Sequence, residues 1–97
     1  MLARRTDDNH REVIDGFRAA MPEATVFDLS GTGKGCPDVM VGWAGRNYLF
    51  EIKDGGKAPS RRDLTDAQKD FHGSWQGQVA VVTTAAEMAA VIARECR

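Results

Sequence analysis

Three charged side chains interrupt what otherwise reads as buried strand. Asp38 opens the run DVMVGW, and Glu51 and Lys53 break the run NYLFEIK two residues apart. Carboxylates at the edge of an apolar sheet repel one another unless a cation lies between them. Hard oxygen donors of this kind suit Mg2+ or Mn2+, commonly held by one or two carboxylates with water and phosphate oxygens completing the shell. A lysine beside such a site can orient an attacking water and stabilise charge on a phosphate in transit. Two acids, a lysine and a divalent metal together equip a phosphodiester hydrolase.

Strand geometry places these groups. Side chains alternate across a strand, so Tyr48, Phe50 and Ile52 share one face and Leu49, Glu51 and Lys53 the other. The first set is uniformly apolar and belongs in a core. The second turns from apolar to charged along its length, as in a strand that runs out of the core into a cleft. WAGR (43–46) reads as a turn, which makes 38–43 and 47–53 an antiparallel hairpin. Pairing outward from that turn sets residue 38 beside residues 52–53.

The remaining elements must hold this hairpin. Residues 6–21 read as a helix capped by Thr6, Asp7 or Asp8, with Val13, Ile14, Phe17, Ala20 and Met21 as its apolar stripe and Pro22 as a stop. Gly16, one turn after Glu12, leaves space beside that carboxylate. Residues 24–29 read as a strand and 30–35, SGTGKG, as a glycine-rich loop. Thr65 and Gln68 have the spacing of a capping box, opening a helix that carries Ala67, Phe71 and Trp75 and ends at Gly77. Residues 78–83 read as a strand buried on both faces. Thr84 and Glu87 form a second capping box, before a last helix that buries Met88, Val91, Ile92 and Cys96. The expected order is α-β-β-β-α-β-α, an α/β fold with a mixed sheet flanked by helices.

Pro37-Asp38 followed by Glu51-Ile52-Lys53 resembles the signature of the PD-(D/E)xK nuclease superfamily. Further features resemble its VRR-NUC branch and related small phage nucleases: Glu12 in an N-terminal helix, Gly35-Cys36-Pro37-Asp38, a basic loop after Lys53, and Leu64-Thr65-Asp66-Ala67-Gln68 at a helix start. The resemblance spans nearly the whole chain in the same order. It implies a restriction-endonuclease-like core and a metal-dependent DNA endonuclease leaving 5′-phosphate and 3′-hydroxyl ends. Asp38, Glu51 and the Ile52 carbonyl would hold Mg2+ or Mn2+. Glu12 would bind a metal directly, through water, or as ligand of a second ion. Lys53 would position the water, and Gln68 would support Lys53 or the substrate phosphate. The branch is similar to archaeal Holliday-junction resolvases, which implies duplex or branched DNA as partner and a homodimer, in a phage or prophage protein of the bacterial cytoplasm. The VRR tripeptide that names the branch is absent, and Ser60-Arg61-Arg62 stands in its place.

Bulk properties fit that picture and exclude others. Ninety-seven residues make one domain. A net charge of −1 excludes a generally basic nucleic-acid binder, so phosphate contacts must be local. Between residues 53 and 62, Lys53, Lys57, Arg61 and Arg62 face Asp54 alone, and Lys34 and Ser60 extend the set of phosphate contacts. No apolar run approaches the roughly 20 residues of a membrane span, and the N-terminus lacks the apolar segment of a secretory signal. Cys36 and Cys96 read as reduced thiols. Gly31–Gly35 is no P-loop, because it leads into a strand. His10-Arg11-Glu12 lacks the cysteine motif of zinc deaminases, and the spacing of His10, His72 and Cys36 supports no zinc site. Trp43, Phe71 and Trp75 are expected in the core or an interface. Two competing readings remain: a non-catalytic nucleic-acid-binding module with the nuclease fold, and a small interaction protein.

Overall fold

The computed structural model describes residues 9–56 and 63–95. Its element order is α1 (His10–Ala20), β1 (Thr25–Asp28), β2 (Val39–Trp43), β3 (Arg46–Ile52), α2 (Asp66–Ser74), β4 (Ala80–Val82) and α3 (Ala85–Glu95). The strands form one mixed sheet in the order β1-β2-β3-β4, antiparallel except for the parallel β3–β4 pair. The described residues thus form a mixed α/β fold with three helices. No helix among the described residues is long and apolar enough to cross a membrane.

The alternation of β3 decides the layers. Tyr48, Phe50 and Ile52 join Val39, Val41 and Val82 on one face, where Val13 and Phe17 of α1 and Met88, Val91 and Ile92 of α3 cover them. Burying each such side chain contributes about 1.5–3 kcal/mol. Gly16 is what lets the two covering helices approach. A Cβ at that position would meet the Ala85 Cβ at 3.3 Å, so the space expected beside Glu12 is taken up by the start of α3.

Several local expectations are corrected. The proposed caps Thr6, Asp7 and Asp8 lie outside the described residues. Asn9 occupies the N-cap of α1 and makes no capping bond. Its amide instead donates to the carbonyls of Lys53 and Thr83, both at 3.1 Å, tying the helix start to the ends of β3 and β4. In α1 Val13 and Phe17 are buried, Ile14 and Met21 half-buried and Ala20 exposed. The box at Thr84 is half formed: Thr84 accepts the Glu87 N–H, but the Glu87 carboxylate takes the Thr83 N–H at 2.6 Å, one residue early.

β4 is shorter than the apolar run 78–83, and it is not buried on both faces, since Val81 is 46% exposed. β4 is an edge strand, and one residue interrupts it early. Gln78 pairs with β3 through its side chain, accepting the Leu49 N–H at 2.7 Å and donating to the Leu49 carbonyl at 3.4 Å. α2 ends at Ser74, not Gly77, with Trp75 extended as its C-cap.

The β2–β3 hairpin closes through a two-residue loop between Trp43 and Arg46. Both loop residues have positive φ, Ala44 at 52° and Gly45 at 79°. This is the conformation that matches the right-handed strand twist, but alanine adopts it at a cost. Ala44→Asn, which sets an Asn-Gly pair at the turn, should stabilise the fold by about 0.5–1 kcal/mol, or a few degrees in Tm. A thermal melt showing no gain would contradict a strained turn.

Candidate active site

The charged face of β3 becomes a buried cluster. Asp38 and Glu51 are each 2% exposed, and Lys53 and Gln68 each 7%. Charged groups out of water are costly unless paired and hydrogen-bonded. The bonds among these residues and their neighbours define the site.

Asp38 lies just past the last paired residue of β2. Its N–H donates to the Phe50 carbonyl at 3.0 Å, and its carbonyl accepts from Leu29 N–H at 2.7 Å. Its carboxylate accepts the Ile52 N–H at 2.7 Å. The side chain thus stands in for a backbone rung of the hairpin ladder: the register, Val39 with Phe50, sets residue 38 opposite residue 51, and its carboxylate reaches residue 52. Pro37 before it is fully buried.

Gln68 closes the cluster from α2. Its amide nitrogen donates to Glu51 Oε2 at 3.1 Å, and its oxygen accepts from Lys53 Nζ at 3.0 Å. The same oxygen accepts the Thr65 N–H at 2.8 Å, while Thr65 Oγ1 accepts the Gln68 N–H at 3.2 Å. That reciprocal pair is the capping box of α2. One amide therefore starts the helix and bridges the acid and the base of the site.

Gly35 permits the docking of that helix. It has φ +76°, and a Cβ there would collide with the Ala67 carbonyl and crowd the Gln68 N–H. The loop that delivers Asp38 thus lies directly on the first turn of α2. Lys34 beside it is exposed, with φ 59°.

Other sequence candidates fall differently. Glu12 is exposed and lines a groove with Asn9, Val13, Thr83, Thr84 and Ala85. Among the described residues it does not gather with Asp38 and Glu51 into one metal-holding group, and its side of α1 faces the start of α3. The α1 region reaches the strand end through Asn9 instead, a residue that sequence reasoning missed. Its partners lie 44 and 74 residues away, so no local pattern marks it. Lys57, Ser60, Arg61, Arg62 and Cys96 lie outside the described residues. Phe71 is half-buried and Trp75 exposed, so neither belongs to the core, whereas Trp43 packs against it.

The donor set fits a hard divalent cation of modest protein coordination. Among the described residues no group of three or more His, Cys, Asp and Glu gathers around one point. Asp38 and Glu51 are buried carboxylates on either side of the Asp38–Ile52 N–H bond, and they supply oxygen donors alone. That suits Mg2+ or Mn2+, which keep most positions for water and substrate oxygens.

His72 stands one turn beyond Gln68. Its Nε2 is buried and finds no hydrogen-bond partner among the described residues. Burial, and then the positive charge of Lys53, hold its pKa below the usual 6.5. No family model matches the chain, and neither a curated protein nor a solved structure matches it significantly.

Two outcomes follow from this geometry. Gly35→Ala should cost more than about 2 kcal/mol, from backbone strain and the collision with α2. A urea midpoint close to wild type would show that α2 does not rest on this glycine. For His72 the neutral form is favoured in the fold, so the unfolded chain takes up the proton first as pH falls. Its contribution to stability is complete above about pH 6.5 and is lost as pH falls through the depressed folded value. His72→Gln should therefore flatten the decline of stability between about pH 7 and 5; an unchanged decline would contradict the depressed value.

Proposed function

We propose that the protein is a metal-dependent nuclease of the PD-(D/E)xK kind that hydrolyses DNA phosphodiester bonds. The observation that carries this reading is the buried cluster of Asp38, Glu51, Lys53 and Gln68, joined through one amide. An ordinary solvated strand face does not bury a lysine and two carboxylates. Buried ionisable groups gathered around one amide at the end of a strand mark a candidate site for chemistry.

In this reading Asp38, Glu51 and the Ile52 carbonyl would hold Mg2+ or Mn2+. The bound ion supplies Lewis-acid polarisation of a phosphoryl oxygen. Lys53, its ammonium fixed by the Gln68 oxygen, donates to the attacking water and orients its lone pair toward phosphorus. The water oxygen bonds to phosphorus and releases a proton to solvent, the bond to the 3′-oxygen breaks, and that oxygen takes up a proton from solvent, so that one water yields a 5′-phosphate and a 3′-hydroxyl. Gln68 is a positioning residue: it acts by fixing the rotamers of Glu51 and Lys53. Lys34 on its exposed loop is assigned a phosphate contact, together with the basic residues at 57–62. Glu12 acts only at the rim, one turn beyond the Asn9 that binds the Lys53 carbonyl.

A cleavage panel tests the reading. Single-stranded, nicked, flapped, branched and duplex DNA are incubated with Mg2+ or Mn2+. Asp38→Asn, Glu51→Gln and Lys53→Ala should each lower the rate roughly 10²–10⁴-fold on whichever substrate is cut. Glu12→Gln should cost only roughly 10-fold, as for a group that acts through others. Binding without cleavage in every form would favour the non-catalytic module instead, and cleavage that survives Lys53→Ala would remove the proposed role of the lysine.

A further inference from the structure

The sheet face that carries Glu51 and Lys53 is only partly covered. α2 crosses it at the charged end, where Gln68 bonds to both residues. Beyond that point Phe27, Met40 and Leu49 lie side by side across β1, β2 and β3. An open groove of about 450 Å³ runs here, lined among others by Leu29, Met40, Asn47, Leu49, Phe71 and Trp75. Its size is within the range of about 300–1,000 Å³ typical of small-molecule sites.

Two aromatic rings form its wall. Phe71 and Trp75 stack with centroids 5.1 Å apart and planes at 17°. Trp75 is 45% exposed. Gly77 backs the indole so closely that a Cβ there would come within 2.8 Å of Nε1. The ring is thus held in place with surface left to offer.

The groove is continuous with the candidate site. Leu49 and Glu51 are two residues apart on one face of β3, a separation of about 7 Å. Gln68 and Phe71 are one turn apart on α2, about 5 Å. Those spans match the step from a phosphate to a neighbouring base. Apolar walls with a fixed aromatic plane suit a flat, polarisable group that needs no fixed hydrogen-bond pattern. A base inside a duplex has both faces covered, so only an unpaired base has a face to offer. A stable dimer interface needs about 800 Å² and 20–30 residues a side, far more than this narrow groove.

We propose that the groove is a nucleobase subsite, which stacks an unpaired base of DNA on the Phe71–Trp75 wall next to the phosphate that a metal at Asp38 and Glu51 would bind. The position of that phosphate rests on the nuclease reading above. The stacking rests on the groove itself. The substrate class is then single-stranded DNA or the unpaired segment of a flap or junction.

The test measures binding in EDTA, where no metal-dependent cleavage occurs. Single-stranded oligonucleotides carrying 2-aminopurine are titrated with the full chain, alongside duplexes of the same sequence. Wild type should bind the single strand more tightly and quench its fluorescence. Trp75→Ala should weaken that binding roughly 5- to 150-fold, with duplex affinity little changed and Trp75→Phe restoring most of the loss. Asn47→Trp, which fills the groove from an exposed strand position, should give the same loss if Trp75→Ala is poorly folded by circular dichroism. Unchanged single-strand affinity in folded Trp75→Ala and Asn47→Trp overturns the proposal. So does light scattering that shows Trp75→Ala converting a dimer to a monomer with single-strand affinity intact, which would make the groove a contact between copies. Absence of cleavage with any metal would remove the nuclease reading and leave the stacking result standing.

Discussion

The side-chain amide of Gln68 is the contact on which the rest of the site depends. Its nitrogen bonds one oxygen of Glu51, and its oxygen bonds Lys53 and the N–H of Thr65, the N-cap of α2. Glutamate in its place would serve the helix equally well as a cap, since a capping box accepts either residue. It would not serve the cluster, because a second carboxylate facing Glu51 has no donor to offer and adds like-charge repulsion. The neutral amide is the group that can face an acid and a base at once. Helix initiation and the arrangement of the ionisable pair are therefore a single set of bonds. A conformational change that frays the first turn of α2 also releases Lys53.

Such a cluster is tolerated because β3 is apolar on its other face. Phe50 and Ile52 are fully buried against α1 and α3, and they anchor the strand whose remaining side chains include Glu51 and Lys53. Desolvating those charges works against folding, and the core on the reverse side offsets it. The site also lies where the regular ladder stops. Past Val39 and Phe50 the regular register stops: the Asp38 N–H still bonds the Phe50 carbonyl, but it is the Asp38 carboxylate that takes the Ile52 N–H. A regular strand continuing there would have pointed the side chain away from its neighbour's backbone. Ending the ladder turns the carboxylate into the sheet plane, beside the residue that separates Glu51 from Lys53.

Much of this was legible in sequence because it depends on short periods. Alternation in 47–53 separated the apolar from the charged face of β3. Turn residues set the hairpin and brought residue 38 to residue 52. The Thr65–Gln68 spacing announced the helix start. What escaped was long-range. Asn9 reads as one more polar residue before a helix, and only the fold shows its amide on the carbonyls of Lys53 and Thr83. Glu12 has the sequence order expected of a ligand but the helical phase of the α3 side, and phase relative to a distant element is not written locally. Gln78 looked like the first residue of a strand; its side chain competes with its backbone for β3, so the strand begins two residues later. Val81 looked buried because its neighbours are, but an edge strand covered on only one face leaves every second side chain in solvent.

The same asymmetry explains the shape of the open face. α2 is held to the sheet by polar bonds at one end, through Gln68, and by the fit of Gly35 against its first turn. Only one of its nine residues, Gln68, is buried. A helix pinned at its N-terminus and not packed along its length leaves the sheet beyond it uncovered. The uncovered part begins where the charges end, so the ionisable cluster and the apolar groove share one boundary at Leu49 and Phe71. In the proposed reading, a ligand that spans this boundary sets a phosphate at the metal that Asp38 and Glu51 would hold and a flat, apolar group in the groove. A nucleotide with its base unstacked has that character, and a phosphate within an intact duplex does not.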